Sequence, residues 1–129
     1  MKFTSLLLTL LCLASSAIGQ ERLMEGGLYS TRNKNGSYSV LKVLKLDPQG
    51  VHVRMYSNQF AQHPSKLDES MLYIAGMNRK SNESLGMDHA PISRASFASW
   101  GARFIKFGPV RQEELDGYEM WREASGGYF

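Results

Sequence analysis

The residues of this 129-residue chain whose chemistry could go beyond packing are three histidines, seven methionines including Met1, and a set of aromatics. Met77, Met87 and His89 flank the polar stretch GMNRKSNESLG, and Met87-Asp88-His89 forms a compact M-x-H. Soft thioethers beside an imidazole suit Cu(I), so these three residues define a copper-binding alternative. Tyr29, Tyr38 and Tyr56 fall on three neighbouring predicted strands, and Trp100 closes a short predicted helix. Gathered on one sheet face, the four would make a platform for a peptide or glycan; packed under a terminal helix, they would be core. His52 shares the polar side of a strand with Arg54, and is expected to be a solvated or hydrogen-bonded surface group. His63, before Pro64 in a loop, is read the same way.

Catalytic patterns are weak. No G-x-S-x-G elbow is present, and Ser93 is better explained as a helix cap than as a nucleophile. Asp88-His89 followed by Ser93 has the letters of a triad, but adjacent side chains point in different directions and chain order carries no geometry. No two histidines have short zinc-ligand spacing. The paired carboxylates Glu113-Glu114 fall near the start of the last predicted helix, where negative charge is favoured. The expectation is a protein without enzymatic activity or cofactor.

The elements that must position these residues begin after a leader. MKFTSLLLTLLCLASSAIG reads as a secretory signal, with Lys2 as its positive end and an apolar core from Leu6 to Leu13. Ala17 and Gly19 fit cleavage before Gln20. Cys12 is no lipid-attachment site, because Leu11 before it is too large. Cleavage would remove the only cysteine, so the expected domain, 20–129, has no disulfide or thiolate. Its location is expected to be periplasmic or extracellular, with no membrane span. The formal charge of +3 falls to +2 when Lys2 leaves, and the positive residues are scattered. That pattern argues against a nucleic-acid partner.

Two turn signals, Asn33-Lys34-Asn35-Gly36 and Asp47-Pro48-Gln49-Gly50, separate predicted strands at 27–31, 37–46 and 51–56. Both are expected to close on a left-handed glycine. The result is an antiparallel meander. A fourth strand is expected at 71–75 and a fifth at 102–107. Between them, PISRASFASWG reads as a short helix capped by Ser93, with Ile92 and Phe97 as a hydrophobic staple and Gly101 as its stop. A last helix is predicted from about 110 to 124, presenting Leu115, Tyr118 and Trp121 on one face. Inside it, Gly117 would let the helix approach a strand closely. The fold class is therefore α+β, mainly β: a meander continuing into a small bent sheet or an SH3-like, partly closed barrel.

The runs GGLYS, KVLKLDPQGVHVRMYSNQF and EELDGYEMW resemble a group of small exported bacterial proteins without an assigned activity. The resemblance covers most of the chain after the leader. It implies a bacterial source and supplies no mechanism, since the shared residues are turn glycines, core apolars and helix positions. The expected function is recognition of a protein or envelope component.

Overall fold

The computed structural model describes residues 22–129; the predicted signal segment and Cys12 lie outside the described residues. Five strands form one antiparallel sheet: β1 (Gly27–Arg32), β2 (Tyr38–Leu46), β3 (Gly50–Phe60), β4 (Met87–Ser93) and β5 (Arg103–Phe107). Their order across the sheet is β4-β3-β2-β1-β5. The sheet stays open, with β4 and β5 at its two sides, so the bent sheet rather than a closed barrel is what forms. Helix α1 (Arg94–Ser99) packs on one face. On the other lie a 3₁₀ turn (Gln112–Leu115) and the helix that continues it, α2 (Asp116–Glu123). No helix among the described residues is long and apolar enough to cross a membrane.

Alternation along the strands divides the apolar residues between the two faces. Tyr29, Leu41, Val43, Val51, Val53, Ala90 and Ile92 meet Phe97 of α1 on the first face. Leu28, Val40 and Tyr56 meet Leu67, Leu72 and Ile74 of the segment after β3 on the second. The cap at α1 forms as the sequence predicts: Ser93 Oγ accepts from the Ser96 amide at 3.1 Å, and Gly101 follows the helix at φ +62°.

The first turn also matches its prediction, with Gly36 at φ +87° and its amide donating to Asn33 O. The second does not. Asp47 and Gly50 exchange backbone hydrogen bonds around Pro48-Gln49, and Gly50 already has a strand φ. Glycine is required there because the ring of Tyr128 occupies the space a Cβ would take.

The expected strand at 71–75 is absent as well. Ser57 N donates to Tyr73 O, but further bonds to this segment come from side chains: Asn58 Oδ1 accepts from Tyr73 N, and Ser57 Oγ accepts from Ala75 N. Side-chain partners substitute for the ladder, and the true fourth strand is 87–93, within the segment that reads as loop and helix approach.

Candidate functional site

The four aromatics that a platform would have gathered separate. Tyr29 is 1% exposed, edge-on to Phe97 and Phe104. Its hydroxyl donates to Arg22 O and accepts from Met24 N at 3.1 Å, tying the incoming chain to the sheet. Tyr38 is half-buried opposite Arg32 and Phe60. Tyr56 is buried, and that burial, followed by the charge of Glu114, pushes its phenol above the ordinary range. Only Tyr56 and Trp100 share a cavity.

That cavity is an open cleft of about 570 Å³ between the far ends of β1–β3 and the loop 79–85. Trp100, Met55 and Leu85 supply apolar wall; Ser39, Gln59 and Ser84 supply polar floor. Trp100 rests on Phe97, ring centroids 5.7 Å apart, which fixes the indole at the rim. The floor is a connected network. Asn33 Nδ2 donates to Ser39 Oγ at 2.9 Å, Ser39 and Ser84 share a 2.7 Å hydroxyl contact, and Gln59 Nε2 donates to Ser84 Oγ at 3.1 Å. The Ser84 amide also donates to Ser57 O, holding the loop down on β3. Nearby, Glu83 accepts from Lys80 N and from the Tyr73 hydroxyl, bonds that lower its pKa and keep it ionised.

The proposed copper ligands do not converge. Met77 is 96% exposed on its loop, and Met87 packs against the Tyr29–Leu41 side of the sheet. His89 faces the opposite side, against His52 and Tyr118. The cause is a bulge: Val53 pairs with Ala90 but Met55 with Met87, so β4 carries one extra residue between Met87 and Ala90. A bulge flips the two-residue alternation that would otherwise align an M-x-H.

His52 corrects the sequence reading most sharply. It is fully buried, stacked on His89 and enclosed by the rings of Tyr118, Trp121 and Tyr128. His52 Nε2 lies 2.7 Å from Asp47 Oδ2, and His52 Nδ1 lies 2.9 Å from His89 Nε2. An ionised Asp47 only accepts, so His52 Nε2 carries a proton. With both rings neutral, His52 Nδ1 then accepts from His89 Nε2–H. Tyr128 completes the chain by donating to Asp47 at 2.7 Å. Burial opposes the Asp47 carboxylate, but the bonds from Tyr128 and His52 outweigh it and hold its pKa low. Burial and then Asp47 push the Tyr128 phenol up to about 12. Gly117 has the role predicted for it: a Cβ there would lie 2.6 Å from His89 Cβ, so α2 seats against β4 only with glycine.

Burial, and secondarily repulsion from His52 when that ring is protonated, lower the His89 pKa to about 4 from 6.5. An unfolded His89 therefore binds a proton first as pH falls. The stability this neutral ring contributes is complete above pH 6.5 and lost on descent toward pH 4. His89 is half-buried, and solvent screening reduces the loss to roughly 1 kcal/mol. Urea midpoints for wild type and His89→Gln between pH 7 and 4 check this; the wild type should show the steeper fall.

A second buried polar group lies under the 3₁₀ turn. Lys42 Nζ donates to Glu69 Oε2 at 2.7 Å, Pro109 O at 3.0 Å and Glu114 Oε1 at 3.0 Å, and neither Lys42 nor Glu114 exposes its side chain. Burial raises the Glu114 pKa, but the Arg111 amide and Lys42 more than reverse this. Glu114 Oε2 has no hydrogen bond among the described residues and faces Arg54 Nη1 at 3.8 Å.

No protein family, curated protein or solved structure matches the chain. The two buried polar groups and the cleft floor were hidden in the sequence because their members are dispersed; His52 and His89 are 37 residues apart. One signal pointed to the first group. The helix bearing Tyr118 and Trp121 needs a sheet face to cover, and the face alternating with Val51 and Val53 carries His52.

Proposed function

We propose that the protein is an exported, non-enzymatic binding module that holds a segment of a bacterial envelope component in the cleft beside Trp100. One observation carries this reading: the cleft combines an aromatic wall backed by Phe97 with a floor of hydroxyl and amide groups on the paired strands β1–β3. Concave sites of this size with a few convergent polar groups take small ligands or short segments rather than broad protein surfaces. The Asp47–His52–His89 chain serves the fold in this reading, since aromatic rings cover His52 and leave a substrate no approach to it.

With Trp121→Phe, Trp100 becomes the sole tryptophan and reports on the cleft by its fluorescence. Soluble fragments of a bacterial envelope should shift its emission saturably. Ser84→Phe, which fills the cleft, should abolish the shift while leaving the thermal midpoint within a few degrees. A response that persists undiminished in Ser84→Phe, or no response at all, overturns the proposal.

A further inference from the structure

The cleft's uncommitted charged groups are all of one sign. The side chains of Asn33, Ser39, Gln59 and Ser84 are already bonded to one another, and Ser99 Oγ donates to Ser96 O. Among the described residues, no hydrogen bond or ion pair engages the side chains of Arg32, Arg79 or Trp100, all of which line the cavity. Two guanidinium groups and an indole N–H offer donors and no acceptor. The lining carboxylate, Glu83, has one oxygen on Lys80 N and the other on the Tyr73 hydroxyl, so the cleft's charge balance stays positive.

Resting on the binding-module reading, we infer that the ligand is an acidic glycan whose carboxylate meets Arg32 and Arg79 while a sugar face lies on Trp100. Guanidinium groups suit carboxylates because their paired donors match two acceptor oxygens. The hydroxyl and amide floor matches a hydroxylated ligand, exchanging bonds with it without leaving a buried group unpaired. An extended acidic peptide fits less well. It would gain most by adding main-chain bonds to a strand, and the backbone here is already in use: Thr31 pairs with Ser39, Ser39 with Gln59, and Leu41 with Met55.

Isothermal titration of the protein with oligogalacturonate and oligomannuronate, each beside its carboxyl-reduced neutral form, tests the inference. At least one uronate should bind, weakening tenfold or more on carboxyl reduction and by a similar factor in the double variant Arg32→Gln/Arg79→Gln. Circular dichroism confirms that the variant remains folded. Equal binding of the neutral form removes the anionic requirement, and binding of hexaglutamate in preference to both uronates removes the glycan. If neither uronate binds, the inference falls; a positive envelope-fragment fluorescence assay would then leave the cleft itself as a binding site.

Discussion

Lys42→Met is expected to lower the folding free energy by about 3–5 kcal/mol, the range found when one partner of a buried ion pair is removed. Its ammonium sits among two carboxylates and the Pro109 carbonyl, with no exposed side-chain surface. Removal leaves the buried Glu114 carboxylate with the Arg111 amide at 2.9 Å and two looser guanidinium contacts, the exposed Arg111 at 3.4 Å and Arg54 at 3.8 Å. The cost should fall mainly on that under-compensated buried charge rather than on lost attraction. Lys42→Met combined with Glu114→Leu should therefore recover much of the stability, because two apolar groups can fill the space that an incomplete pair cannot. Urea denaturation of the two single variants and the double variant closes the cycle. A double variant no more stable than Lys42→Met would show that the carboxylate was not the source of the loss.

Tyr29→Ala should cost a similar amount, about 3–5 kcal/mol, as for other large aromatic truncations in a core. The sequence leaves Tyr29 between a recognition platform, where its loss would affect capture and spare the fold, and core packing under the last helix. Its burial between Phe97 and Phe104 makes it core, under α1 rather than the last helix. Tyr29→Phe separates the contributions: it keeps the packed ring and gives up only the bonds to Arg22 and Met24, at a cost of roughly 1 kcal/mol. Chemical denaturation of both variants decides the matter. An unchanged midpoint for Tyr29→Ala would place the ring at the surface after all.

The meander and both helices were legible because each is announced by neighbours in sequence. Gly36 marks its turn, Ser93 and Gly101 bracket α1, and the spacing of Tyr118 and Trp121 gives α2 its inward face. The readings that failed depend on residues far apart. Whether a strand's polar face meets water or a helix is settled by packing, so alternation alone made His52 look solvated. The bulge between Met87 and Ala90 has no local signature either, and it decides whether an M-x-H can act as one site. Of the predicted platform, Tyr56 and Trp100 do reach a common cleft. Its floor comes from Asn33, Ser39, Gln59 and Ser84, ordinary turn and strand residues that gain meaning only when β1–β3 and the 79–85 loop are brought together.

The residues after α2 also bear on how the margins of the sheet are guarded. An open sheet has two margins, and a margin with unpaired amides and carbonyls is a template on which another chain can polymerise. At β4 the chain supplies its own cover: Phe129 N donates to Pro91 O at 2.9 Å, and Ser93 N donates to Phe129 O at 2.8 Å. Tyr128, anchored on Asp47, clamps that cover in place. Pro91 itself offers no amide to an incoming strand. Among the described residues the β5 margin has no such guard and uses another means, being five residues long with exposed Arg103 and Lys106 along it. Bringing two copies together there would oppose like charges. One side of the sheet is thus protected by occupancy and the other by repulsion, so loss of the 126–129 segment would bare only the β4 side to aggregation.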